Sequence, residues 1–201
     1  SNAGNKETAG TITIPSKVEG YEVIGVKKKA FESIRNLTKI ILPPTITTLD
    51  ENAFYFCYAQ EIIIPKGITS FPEDAFYYCW KLLTMTIPAS VESIGNHAFY
   101  NCNKLKVLIV HSPSPATVTE NTFEKCDDAI LYVPKGSKAA YEAADYWNKF
   151  KIIEMVEGDA DGDGSIDVND VTSTINYILG KPVASFFEGA ADVDGDGTID
   201  V

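Results

Sequence analysis

The sequence predicts a repeat solenoid of short strands and turns, followed by a small, strongly acidic module of another kind. Three landmarks recur in step. A small residue precedes Phe at Ala30-Phe31, Ala53-Phe54, Ala75-Phe76, Ala98-Phe99 and the variant Thr122-Phe123, with the Phe residues separated by 23, 22, 23 and 24 positions. Pro43, Pro65 and Pro88 close short apolar runs, His111 stands where the next Pro is due, and Pro134 resumes the series. Cys57, Cys79, Cys102 and Cys126 each lie three residues after the landmark Phe. A unit this short cannot bury its own apolar face and has to stack on copies of itself.

Taken in order, residues 1–10 are small and polar and predict a disordered lead; Ser1-Asn2-Ala3 has the look of an expression-tag remnant, so the absence of a leader says nothing about destination. The first unit is long, with 16 residues from Pro15 to Phe31 against 11 from Pro43 to Phe54, as befits an N-terminal cap over residues 11–36. In the next units the residues before each Pro alternate as half-buried strands: Leu37, Ile40 and Leu42; Ala59, Ile62 and Ile64; Leu82, Met85 and Ile87; Leu105, Leu108 and Val110. A second buried edge recurs five residues before each Phe, at Val26, Leu49, Phe71, Ile94 and Val118. Stacked strands lie about 4.8 Å apart, so like residues form columns, with Phe as the spine.

An even number of cysteines invites a disulfide framework or a metal site, but their place in the repeat points the side chains of one column the same way rather than at each other. The expectation is four reduced, buried thiols acting as small apolar residues.

The repeated stretches IPKGITSFPEDAFYYC and IPASVESIGNHAFYNC resemble the leucine-rich repeats of the BspA-like bacterial surface proteins over residues 11–156, with Cys where common leucine-rich repeats carry Asn. In the last unit Thr122 replaces the Ala and Asp128 stands at an expected core position, which marks an edge. Residues 134–156 change period. Ser137 suits the N-cap of a helix through about Asp145, Phe150, Ile152 and Ile153 suit a last strand, and Tyr146 and Trp147 are expected to cover the open end.

Residues 159–170 read DADGDGSIDVND, an EF-hand-type loop. Asp159, Asp161 and Asp163 supply monodentate oxygens, Gly164 permits the sharp turn, Ser165 offers its carbonyl, Asp167 acts directly or through water, and Asp170 closes the loop in place of the usual Glu. So many carboxylates repel one another unless a hard cation neutralises them, and Ca2+ suits the set better than the stricter Mg2+. After a helical stretch ended by Gly180 and Pro182 the loop returns with Asp192, Asp194, Asp196, Thr198 and Asp200. A duplicated loop followed by a helix, without the helix that opens a full EF-hand pair, is similar to a type I dockerin over residues 158–201. That resemblance implies calcium binding by the residues named above, the second group forming a partial set, and attachment to a cohesin-type domain through loop positions 10 and 11, here Val168 and Asn169 rather than the frequent Ser-Thr. The expected organisation is therefore a lead over 1–10, a solenoid over 11–156 with about five repeats, and a partial dockerin-like module over 157–201.

Nine Asp and one Glu against one Lys after residue 157 supply −9 of the net charge of −11. An acidic chain with no basic cluster is a poor partner for nucleic acid, and no apolar run is long enough to insert in a membrane. With two His and no nucleophile placed beside either, the sequence points to no catalytic site. Two surfaces are candidates for binding an extracellular protein or glycan: the aromatic residues around each Cys, namely Tyr55, Phe56, Tyr58, Tyr77, Tyr78, Trp80 and Tyr100, and the outward strand positions Ile41, Ile63, Val107, Ile109, Ile130 and Tyr132. The same ladders also stabilise stacked strands with no ligand. The sequence thus predicts a non-catalytic secreted or cell-surface bacterial protein of adhesin type, with a passive spacer or an accessory module of a larger glycan-degrading enzyme as alternatives.

Overall fold

The computed structural model describes residues 10–156 together with Gly158, Ser173, Thr174, Ala191 and Ile199. Residues 1–9 of the lead expected over 1–10 and all eleven expected calcium ligands lie outside the described residues, while Gly10 belongs to the first strand rather than to the lead, because its N–H donates to the Asn36 carbonyl at 3.2 Å.

Each rung contributes one strand to a parallel sheet: β1 (Gly10–Thr13), β5 (Leu37–Ile41), β7 (Glu61–Ile63), β9 (Thr84–Ile87), β11 (Val107–Val110), β12 (Ile130–Val133) and β13 (Lys151–Glu154), hydrogen-bonded in that order. The register sets like on like: Ile40 faces Ile62, Met85 faces Leu108, and Leu131 faces Ile152, so the inward column is apolar from end to end. Pro43, Pro65, Pro88 and Pro134 stop the strands and open tight turns; the Pro43, Pro65 and Pro88 carbonyls accept from Ile46, Ile68 and Val91 at 3.0, 3.3 and 3.0 Å. Two-residue strands make the second edge: β4 (Gly25–Val26) pairs with β6 (Thr48–Leu49), and β8 (Ser70–Phe71) with β10 (Ser93–Ile94). β2 (Lys17–Val18) and β3 (Tyr21–Glu22) form an antiparallel hairpin in the first unit.

The third edge carries the Phe column. Phe31, Phe54, Phe76, Phe99 and Phe123 stack with centroids 4.9, 5.2, 5.0 and 5.5 Å apart and planes within 11°. The backbone beneath them is laced from rung to rung: Phe54 N–H donates to the Ala75 carbonyl at 2.8 Å and Phe56 N–H to that of Tyr77 at 2.9 Å. One rung on, Phe76 donates to Ala98 and Tyr78 to Tyr100, both at 2.8 Å. To aim alternate amides along the axis the chain turns left-handed two residues before and two after the Phe, at Asn52, Asp74 and His97 and at Phe56, Tyr78, Asn101 and Lys125, with φ between 52° and 64°. Gly95 is required for a different reason: a Cβ there would lie 2.5 Å from the Glu73 backbone nitrogen in the rung below.

The last rung is sealed by α1 (Lys138–Ala143) and the segment after it. Trp147 is buried and donates from Nε1 to the Ala116 carbonyl at 2.9 Å, and buried Tyr141 donates to the Ser112 carbonyl at 3.0 Å. Three expectations are corrected. Tyr146 is 42% exposed, and Tyr141 takes the covering role expected of it. Ser137 sits at the N-cap but makes no side-chain cap bond, because it is buried with its backbone already helical. Asp128 is exposed and bonded to Lys106 Nζ at 2.6 Å; Ala129 takes the core position, one residue further on. Among the described residues the first rung has no comparable cover: an opening of about 270 Å³ beside Phe31 is lined by residues including Ile14, Val23, Val26, Leu42 and Ile46.

Candidate functional site

The four thiols are buried and unpaired as disulfides. Their recurrence has a hydrogen-bonding cause. Cys79, Cys102 and Cys126 donate from Sγ to the carbonyls of Phe54, Phe76 and Phe99, one rung back, at 3.1, 3.2 and 3.0 Å. At the end of the column Lys149 Nζ takes the place of a fifth Cys and reaches the Phe123 carbonyl at 2.6 Å. Burial pushes the Cys57 thiol up to about 12 and the Cys102 thiol well above its ordinary value, so thiolate is scarce in the fold. A disulfide-exchange reagent such as DTNB at pH 8 is therefore expected to leave all four unreacted in the native protein and to titrate all four in denaturant; a fast-reacting native thiol would show that the column is open.

The aromatic residues flanking each Cys converge on this same edge. Tyr55, Tyr77 and Tyr100 form a second stack outside the Phe column, with centroids 5.4 and 5.0 Å apart, and Phe56 stacks on Tyr78 at 4.7 Å. The stack is closed at both ends by ammonium groups, Lys29 over Tyr55 at 5.4 Å and Lys125 over Tyr100 at 4.9 Å, the latter also donating to the Tyr100 hydroxyl at 2.9 Å. Ring faces are thus used within the ladder, leaving phenol edges toward solvent. Burial first, and then the neighbouring phenols Tyr78, Tyr100 and Tyr55, raise the Tyr77 hydroxyl, which stays a neutral donor. Phe56 and Tyr78 are held at positive φ, a conformation that costs a bulky residue about 1–3 kcal/mol. The same left-handed turn recurs at Asn101 and Lys125, so the strain belongs to the backbone of the rung, which places whatever side chain stands there on this edge.

Tyr58 and Trp80 stand apart from the stack. They meet edge to face at 5.6 Å, and Trp80 is 40% exposed with no stacked partner among the described rings. Arg35 and Lys81 lie over the Tyr58 ring at 5.5 and 5.4 Å. Neither cation stood out in the sequence, because only the folded rungs bring residues 35, 58 and 81 to one corner.

The strand face is the second surface. Ile41 pairs with Ile63, and Ile109 lies between Thr86 and Tyr132, all on the outer side of the sheet. Ile63 and Tyr132 are half-buried there. Ile109, expected to be presented to a partner, is only 5% exposed; it lies outside the core cluster yet is covered where it stands, flanked by Tyr132.

Glu73, Asp74 and His97 also meet across two rungs, with one ligand atom from each lying within 4.8 Å of the others. His97 Nδ1 is 3.1 Å from Asn96 Nδ2 and 3.9 Å from Asp74 Oδ1, and its ring is edge-on to Tyr100 at 5.3 Å. Burial and the adjacent Glu73 raise the Asp74 carboxyl, with His97 opposing them. Of the three, His97 meets the tyrosine stack, edge-on to Tyr77 and Tyr100.

The BspA type Leucine rich repeat region matches residues 5–130 in 6 copies, and the Dockerin type I domain matches residues 157–201. Among solved structures the chain is similar to a leucine rich cell surface protein from Faecalibacterium prausnitzii A2-165, at 25% identity over 66% of this chain and 34% of that one, TM-score 0.58. It shares its fold with the pneumococcal vaccine antigen PcpA, at 22% identity over 66% of this chain and 42% of that one, TM-score 0.52. The chain thus spans between a third and a half of the length of these two proteins. No curated protein matches it.

Proposed function

Because the chain belongs to the BspA-type leucine-rich repeat family and carries a type I dockerin domain at its C-terminus, we propose that it is a non-catalytic bacterial surface or secreted protein. Its repeats bind an extracellular protein or glycan, and its tail binds Ca2+ and attaches to a cohesin-type domain. The boundary falls near residue 157. The observation that carries the binding half is the partly exposed aromatic edge: Phe56 stacked on Tyr78, with Tyr55, Tyr77 and Tyr100 beside them and Trp80 at the corner. For the tail, the carboxylates of Asp159, Asp161, Asp163, Asp167 and Asp170, with the Ser165 carbonyl, form a hard-oxygen donor set that suits Ca2+. Asp192, Asp194, Asp196, Asp200 and Thr198 form the second set. Among the described residues no helix is long and apolar enough to cross a membrane.

A passive spacer is the second reading, favoured by the ring faces of the tyrosine ladder being satisfied internally. One set of measurements separates them. Ca2+ titration is expected to give saturable heat, and EDTA to remove a calcium-dependent melting transition while leaving that of the repeats in place. An EDTA-insensitive melt would overturn the calcium assignment. On an array of matrix proteins and glycans, binding lost in a Tyr78→Ala/Trp80→Ala chain with an unchanged repeat melt supports the aromatic edge. Binding unaffected by that double substitution places the ligand elsewhere, and on the strand face if an Ile63→Asp chain loses it.

A further inference from the structure

We propose that the corner formed by Arg35, Tyr58, Trp80, Lys81 and Lys104 is a binding site for an acidic polysaccharide, with sugar rings on Trp80 and carboxylate or sulfate groups on the cations; it specifies the partner within the reading above and rests on it. Arg35, Tyr58 and Trp80 each lie four residues after a landmark Phe, and Lys81 and Lys104 lie five after theirs. The rungs therefore bring them to one strip, which spans three steps of about 4.8 Å. That is long enough for an extended chain rather than a single sugar.

Charge is the first argument. The protein carries a net −11, yet residues 33–38, 58–60, 80–84 and 103–106, which build this corner, contain no Asp or Glu and include Arg35, Lys81, Lys104 and Lys106. Of the corner's own cations Lys106 is matched by Asp128, and several lysines outside it also have carboxylate partners: Lys28 with Glu51, Lys29 with Glu32, Lys39 with Glu61 and Lys149 with Asp127. Arg35 and Lys81 instead rest on the Tyr58 ring, and neither forms an ion pair with a described carboxylate. Two exposed cations held over one ring, with no counter-charge among the described residues, are complementary to an anionic ligand.

The shape of the polar groups decides which anion. Peptides commonly dock by adding to a free strand edge, but the backbone leading from this corner into the sheet is already paired between rungs: Tyr58 N–H donates to Ile34 at 3.2 Å, Gln60 N–H to Thr38 at 2.8 Å and Leu83 N–H to Gln60 at 2.8 Å. Recognition falls to side chains. An exposed indole without a stacked partner beside fixed cations and the exposed amides Gln60 and Asn103 offers a flat apolar surface, hydrogen bonds and positive charge together, the combination that a sugar ring bearing an acid group requires.

The test uses the full chain with four probes: polygalacturonate, dextran sulfate, neutral dextran and poly-glutamate, followed by affinity electrophoresis and tryptophan emission. Trp147 is buried, so a ligand-induced change in emission reports on Trp80. The expected result is binding of polygalacturonate or dextran sulfate but not of dextran, weakened by salt. Trp80→Ala and the pair Arg35→Ala/Lys81→Ala should each lower affinity about tenfold or more, with the melting temperature unchanged. Whichever acidic polysaccharide binds tells carboxylate from sulfate. Binding of neither overturns the assignment, and so does binding of poly-glutamate at equal strength with Trp80→Ala silent, which would reveal a patch that reads charge alone. A matrix protein still bound by Arg35→Ala/Lys81→Ala, with no acidic polysaccharide bound, would overturn this assignment while leaving the adhesin-type reading in place.

Discussion

Phe99→Ala is expected to destabilise the repeats by about 3–5 kcal/mol, the range for deleting a fully buried aromatic ring. Phe99 is 0% exposed and lies between Phe76 and Phe123 with Phe71 edge-on at 6.0 Å, so every side of the ring is in contact. The neighbours cannot close over the gap cheaply, because the rungs are tied together: Phe99 N–H donates to Thr122 at 2.9 Å, and the Phe99 carbonyl accepts from Cys126 Sγ at 3.0 Å. Denaturant unfolding followed by far-UV circular dichroism measures the loss. Phe31→Ala supplies the internal comparison, since Phe31 is half-buried and has a stacked neighbour on one side alone among the described rings. It should cost distinctly less. Equal losses at both positions would mean that the column is not the spine of the fold.

Trp147→Ala is expected to cost about as much by a different route. The substitution empties the space against Phe123, Tyr141 and Phe150 and leaves the Ala116 carbonyl without its donor. Trp147→Phe separates the two effects: most of the packing returns, and a residual loss of about 1–3 kcal/mol measures the unsatisfied buried carbonyl. Melting temperatures of the two variants beside the parent protein give the comparison. Should Trp147→Ala melt with the parent, the end of the core would be held by α1 and Lys149 rather than by the indole.

The period was legible because stacking forces it onto every rung. Ala-Phe, Pro and Cys each answer a local demand that recurs unchanged: a spine, a strand stop, and a small donor for the carbonyl one rung away. From these the sheet, its inward residues and the reduced cysteines follow. What the sequence hides is lateral. Asp128 and Ala129 exchange roles because one residue of drift in a turn moves the core position without altering the period. Ile109 faces outward as its alternation requires, yet its exposure depends on the side chains alongside it in neighbouring strands. Tyr146 and Tyr141 are both aromatic and close in sequence, and the path of the chain after a short helix decides which one is covered. The candidate site divides the same way. Its aromatic members are visible as a cluster, whereas the two cations over Tyr58 come from the rungs on either side of it and meet only once these are stacked. Left-handed backbone at Phe56 and Tyr78 leaves no signal in residue type, since both are poor choices for that conformation.

The two ends of the solenoid are built unlike each other, and this gives the repeats a direction. At the last rung indole, phenol and ammonium groups cap the core; at the first, among the described residues, Val18, Tyr21 and Ile24 are more than half exposed and an apolar hollow lies beside Phe31. In a stack whose units lean only on their neighbours, loosening enters where packing is thinnest and travels inward one rung at a time. Over the described residues the packing is therefore graded along the axis, thinner at the first rung than at the last. A ligand seated across Arg35 and Trp80 would straddle that gradient, fastening an early rung to a later one, so that occupancy of the corner would also steady the more thinly packed rungs.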